Sequence, residues 1–191
     1  MRKPLTFVFI ILAAAIAVSS QTTDKKIEKI RSVYTDIAEK ARLAETDEEQ
    51  GQYGALVMNE IVVNKSRHQW RAVGIYGQTY RFFYNGGDSE KHLYPDHLVM
   101  VKGSRAVSGR KYDEEYLFDD AGQLVFYYQR SQNDDSSPAE RRIYFSLGRA
   151  IRIIEDGKSR DRLTAADTET VKAVVSLSAK LRSAFKLSIE L

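Results

Sequence analysis

The sequence predicts an α+β fold, an antiparallel β-meander of about seven strands with an N-terminal and a C-terminal helix packed on the sheet. Three observations carry this. Apolar residues between Asp24 and Glu48 recur at helical spacing. The chain then changes to short β-branched and aromatic runs broken by Gly, Asn, Asp and Ser. Helical spacing returns from about Ala165 to Phe185.

Residues 1–20 have the parts of an export signal: Arg2 and Lys3 at the start, an apolar run from Leu5 to Val18, and small residues at Ala15, Ala17, Ser19 and Ser20. This run of fourteen residues falls short of the roughly 20 that cross a bilayer core, so a cleavable signal peptide is expected rather than a stable membrane anchor. Cleavage is expected after Ser20, with Ala17 as second choice. Residues 21–191 then form one α+β domain, and the protein is expected to be secreted or periplasmic.

The first helix is read from Ile27, Ile30, Tyr34, Ile37, Ala41 and Ala44, spaced 3, 4, 3, 4 and 3, which is one face of an amphipathic helix. Thr23 or Asp24 is the candidate cap. Asp47, Glu48 and Glu49 suit the negative end of the helix dipole poorly, so fraying is expected before Gly51. The strands are read as Tyr53 to Val63, Gln69 to Tyr84, Leu98 to Val107, Lys111 to Phe118, Gln123 to Arg130, Arg141 to Ser146 and Arg149 to Glu155. Connections this short favour antiparallel neighbours. Ser131 to Pro138 and Glu155 to Arg162 are polar or charged and read as surface connections open to proteolysis. In the last helix, Thr164 and Asp167 resemble a capping box, and Val171, Val174, Val175, Leu177, Leu181, Ala184 and Phe185 form an apolar face.

Two segments share a turn grammar. Phe118-Asp-Asp-Ala-Gly122-Gln-Leu124-Val125 and Phe145-Ser-Leu-Gly148-Arg-Ala150-Ile151 each read as a hairpin whose Gly takes a positive φ. Extended to Glu115–Phe126 and Glu140–Gly148, the pair resembles segments of uncharacterised exported bacterial proteins, in which a YYFD-x-x-G-x-L-x-F hairpin precedes an E-x-R-x-Y-F-x-x-G hairpin. The resemblance covers residues 112–155 and implies bacterial origin and export, with no activity attached.

Composition narrows the chemistry. The chain of 191 residues carries a net charge of +3, but without residues 1–20 there remain 27 basic and 26 acidic residues, a charge of +1. Such a balance gives little support to nucleic acid as a partner. The absence of cysteine removes thiol nucleophiles, Cys zinc sites and a lipoprotein anchor, and leaves the fold to its core. No nucleophile elbow, phosphate loop, HExxH pair or EF-hand loop occurs, so no cofactor is expected.

The candidate binding residues fall in two groups. Asp88, Glu90, His92, Asp96 and His97 lie in the polar segment Asn85 to His97. The spacing of His92 and His97 fits neither a helical nor a hairpin pair, so loop solvation is favoured over a metal site. Gly86-Gly87 and Pro95 make the segment a fair binding loop. Tyr76, Tyr80, Phe82 and Tyr84 alternate along one strand face. This stripe is either a ligand platform, with Tyr80 and Tyr84 as contacts, or, as favoured, a face packed under a helix. Asp113, Glu114, Glu115 and Glu60 could serve a carbohydrate hydrolase, although Arg141, Arg142, Arg149 and Arg152 offer them ordinary cross-strand partners. The leading expectation is a non-catalytic exported binding or interaction domain meeting an envelope or extracellular partner. The alternative is a hydrolase of envelope carbohydrate or peptide using Asp113, Glu114 or Glu115 and His97.

Overall fold

A computed structural model describes residues 5–46, 55–72, 74–87, 90, 93–133 and 137–190, with the backbone alone for 5–21, 75 and 133. The elements are α1 (Leu5–Glu45), β1 (Val57–Val63), β2 (Gln69–Trp70), β3 (Gly74–Gly86), β4 (Pro95–Val107), β5 (Arg110–Phe118), β6 (Leu124–Asn133), β7 (Ala139–Ser146), β8 (Arg149–Glu155), β9 (Lys158–Arg160) and α2 (Ala165–Ile189). All strand pairs described are antiparallel, in the order β1-β3-β4-β5-β6-β7-β8-β9, with β2 beside β3. The α+β meander is therefore present.

Five strands carry a doublet of adjacent buried residues at their centre: Phe82-Phe83, Met100-Val101, Tyr116-Leu117, Phe126-Tyr127 and Ile143-Tyr144. Successive side chains of a strand point to opposite faces, so each doublet sends one residue to each side. Phe82, Val101, Tyr116, Tyr127 and Ile143 pack with Val174, Leu181 and Phe185 of α2. Phe83, Met100, Leu117, Phe126 and Tyr144 pack with Ile27 and Ala41 of α1. The sheet is thus the middle of three layers, with one helix on each face. Burying each such side chain contributes about 1.5–3 kcal/mol.

Several boundaries depart from the sequence expectation. The expected second strand divides, because Trp70 pairs with Gly74 and Gln69 with Ile75, folding β2 back on β3. Glu155 to Arg162, read as an open connection, holds β9: Asp156 (φ 46°) and Gly157 (φ 80°) take the two left-handed positions of a tight hairpin turn. Ser108-Gly109 and Leu147-Gly148 turn in the same way. Strand pairing also reaches further into the Asn85 to His97 segment than expected, since Asn85 pairs with His97 and Gly86 with Pro95. Neither Thr23 nor Asp24 caps α1, because the helix continues N-terminal to them as far as Leu5; Asp24 instead accepts a hydrogen bond from Arg152. The expected fraying before Gly51 lies outside the described residues. The capping box of α2 is formed: Thr164 Oγ1 accepts from the Asp167 N–H, and the Asp167 carboxylate accepts from the Thr164 N–H.

Candidate functional site

Polar ties place α1 across the sheet. Lys26 donates to Ser146 Oγ at 3.3 Å, Arg31 to the Tyr144 hydroxyl at 3.0 Å, and Lys102 to Glu45 at 3.2 Å. Tyr34 donates to Glu115 while its ring centroid lies 4.8 Å from that of Phe126. Burial and the adjacent Glu115 carboxylate push the Tyr34 phenol well above its ordinary range, so it stays a donor. Arg152 lies between Asp24 and Asp161.

Anchored this way, α1 stands off the strand ends along Lys29, Ile30, Val33 and Ile37, with the Lys26–Ser146 tie at the edge of the gap. The result is an open groove of about 470 Å³, within the size range of small-ligand sites. Ile30, Val33 and Ile37 form the helical wall. Val99, Leu117 and Val125 form the floor, and Phe118, Phe145 and Leu147 the far side. Lys26 and Lys29 stand on the helical rim, facing Asp119, Asp120, Gln123 and Ser146 on the turn side. The Asp119 carboxylate is held by the N–H groups of Ala121 (3.1 Å) and Gln123 (2.7 Å), the local Asx geometry favoured in turns. Chemically, the groove offers an apolar bed with cations on one rim and carboxylates on the other.

This groove was not anticipated from sequence. Two residues hinted at it: Val33 lies off the buried stripe of α1 and is 42% exposed, and Leu147 occupies a tight turn at 88% exposure.

The sequence-predicted residues fall elsewhere. Asp88 and His92 lie outside the described residues. Glu90 and Asp96 are exposed. His97 lines a cleft of about 180 Å³ with Asp96, Asp120, Arg182 and Lys186. Its Nδ1–H donates to Asn85 Oδ1 at 2.9 Å, and its buried Nε2 has no hydrogen-bond partner among the described residues. Tyr84 lies beneath α2, its ring centroid 4.9 Å from that of Phe185 and its hydroxyl donating to Asn59 Oδ1. Tyr80 is half-buried on the same face, its ring pressed against the Gly103 position. Among the described residues no group of three or more His, Cys, Asp or Glu could hold a metal ion, and no helix is long and apolar enough to cross a membrane.

The acidic residues of β5 are divided between faces. Glu114 is buried on the α2 face and accepts from the hydroxyls of Tyr116 (3.2 Å) and Tyr127 (3.1 Å) and from Gln129 Nε2 (3.2 Å). Burial first, and then the Glu114 charge, drives both phenols far above their ordinary range. Asp113 and Glu115 line a hollow of about 190 Å³ on the α1 face. His97 is remote from them: Asp113 pairs with Ser104, seven positions along β4 from His97, or about 23 Å at the rise of a strand. Three of the four arginines expected to pair with these carboxylates bind other acids, Arg141 with Glu155, Arg142 with Glu140 and Arg152 with Asp24 and Asp161. Glu140 and Glu155 belong to the last hairpins themselves, and Asp24 reaches Arg152 from α1.

Compared with known protein families, curated proteins and solved structures, the chain matches none.

Proposed function

We propose that this protein is an exported binding domain whose ligand is an amphipathic small molecule, seated in the groove between α1 and the strand ends. The observation that carries the reading is the groove itself, an apolar bed of about 470 Å³ rimmed by Lys26 and Lys29. An alkyl chain would remove apolar surface from water along Ile30, Val33 and Ile37, at about 25 cal/mol per Å². An anionic head would meet the lysine rim. Export is supported by the basic start and short apolar run of residues 1–20, and by the likeness of the two hairpins to exported bacterial proteins.

Two measurements test this. Titration of the folded chain with saturated fatty acids of increasing length, followed by displacement of an apolar fluorescent dye, is expected to give saturable binding that Val33→Glu weakens. A flat response from folded protein would remove the groove from consideration. Expression in a bacterial host, fractionation and N-terminal sequencing are expected to recover a chain beginning at Gln21 outside the cytoplasm. An uncleaved cytoplasmic product would end the export reading and leave the groove untouched.

A further inference from the structure

The tyrosine stripe of β3 is divided by the reach of α2. Phe82 and Tyr84 lie under Phe185, with ring centroids 6.1 Å and 4.9 Å from it. Tyr80, half-buried, packs against the edge of this cluster, and Tyr76 lies four residues further along the same face. There they join an open strip that crosses β2, β3, β4 and β5 on the α2 face.

The strip alternates aromatic rings with planar polar groups. Trp70 is 46% exposed, and its ring centroid is 5.0 Å from that of Tyr76. Tyr76 donates to Gln78 Oε1, and Gln78 Nε2 donates to Tyr80, so the side chains of this row fix one another. By register Gln78 stands beside Arg105, and Arg105 beside Tyr112. The Arg105 guanidinium carbon lies 4.4 Å from the centre of the Tyr112 ring, while its buried Nε has no acceptor among the described residues. From β3 to β5 the row spans two strand spacings, about 10 Å. Arg110 shares the face through its pairing with Val107. Glu114 lies at its lower edge, already accepting from three donors.

This is not a surface awaiting an apolar partner, because a guanidinium and an amide are set among its rings. Sugars present a C–H face of partial positive charge, which complements the negative face of Trp and Tyr, and a ring of hydroxyls for neighbouring amides. A sugar carboxylate would complete the guanidinium, the strongest common form of charge-assisted hydrogen bond. We propose that this strip binds an acidic oligosaccharide, with Trp70 and Tyr76 stacking on one sugar unit and Arg105 receiving the carboxylate of the next. Single-stranded nucleic acid also stacks on aromatic rings, but its binders track the backbone with a continuous cationic groove. The near-neutral charge of residues 21–191 does not supply one.

Trp70 is the only tryptophan of the chain, so intrinsic fluorescence reports directly on the strip. The folded chain is titrated separately with oligogalacturonate, neutral dextran oligosaccharide, polyglutamate and a single-stranded oligonucleotide. The expected result is a saturable change with oligogalacturonate alone, with Arg105→Gln weakening it by about tenfold or more. In calorimetry, Trp70→Ala is expected to abolish the binding; this residue is exposed enough for its loss to leave the fold intact. Val33→Glu, in the α1 groove, is expected to bind oligogalacturonate as the parent does, which keeps this test separate from that of the groove. No response to oligogalacturonate, or an equal response to dextran, polyglutamate or the oligonucleotide, overturns the proposal.

Discussion

On the α2 face of the sheet, Phe185 is wedged against Phe82 and Tyr84, Val174 and Leu181 are buried, and the helix start is closed by Thr164, Asp167 and Arg160. On the α1 face Ile27 and Ala41 are also buried, but polar ties from Lys26, Arg31, Tyr34 and Glu45 share the attachment, and an open groove runs beside the helix. Both helices cover the same five strands, but with different tolerances. A sealed apolar contact is sensitive to lost volume, whereas a helix held by hydrogen bonds at its edge can border a cavity without losing its anchorage. The groove is therefore on the face where it costs the fold least.

Substitutions can break or sharpen this contrast. The largest effect is expected from Phe185→Ala, which empties the centre of the α2 contact and is expected to cost about 4 kcal/mol, read as a lowered denaturant midpoint. A loss below 1 kcal/mol would mean that the α2 face is no tighter than the other. Next is Glu114→Ala, which leaves two buried phenols and an amide without their acceptor, at about 2–3 kcal/mol. Asp167→Ala follows at about 1 kcal/mol for the lost cap.

Asp167 also sets a pH dependence. The Arg160 guanidinium, followed by the hydrogen bonds from Thr164, holds its carboxyl well below the usual carboxylate range. A depressed folded-state value contributes stability above the unfolded value of about 4, and this is lost as pH falls below it. Asp161 and Glu155, lowered by Arg152 and by Arg141 with Arg160 respectively, act in the same direction. Thermal melts from pH 6 down to pH 3 are expected to fall more steeply in the parent than in Asp167→Ala, and parallel slopes would discount the cap. The smallest effect on stability, within about 0.5 kcal/mol, is expected for Val33→Glu, which should weaken ligand binding in the groove all the same.

Much of the fold was legible in the sequence. The 3-and-4 spacing of Ile27 to Ala44 named the buried stripe of α1, Thr164 and Asp167 marked the start of α2, and Gly122 and Gly148 hold the positive φ that their turns predicted. The strand β9 was obscured because charge outweighed the Asp156-Gly157 turn signal, although a tight hairpin needs only that pair and a few residues on either side. The placement of one helix on each face was written in the buried doublets such as Phe82-Phe83 and Tyr116-Leu117, since a strand covered on one side alone would alternate. The groove was less legible. It depends on where α1 stops touching the sheet, which is set by pairs such as Tyr34 with Glu115 that are 81 positions apart. The favoured reading of the tyrosine stripe, a face packed under a helix, holds for Phe82 and Tyr84, which lie against Phe185.

The antiparallel meander also sets an order of assembly. From β3 onward each strand pairs with the next in the chain, so the sheet can zip hairpin by hairpin through local contacts, the kind that form early. The docked part of α1 is made before any of them, yet its anchors include Tyr144 and Arg152, 113 and 128 positions downstream of their partners. An element made before these strands thus completes its seating late: β3 to β6 already offer its apolar stripe Phe83, Met100, Leu117 and Phe126, but the ties from Arg31 to Tyr144 and from Arg152 to Asp24 wait for β7 and β8.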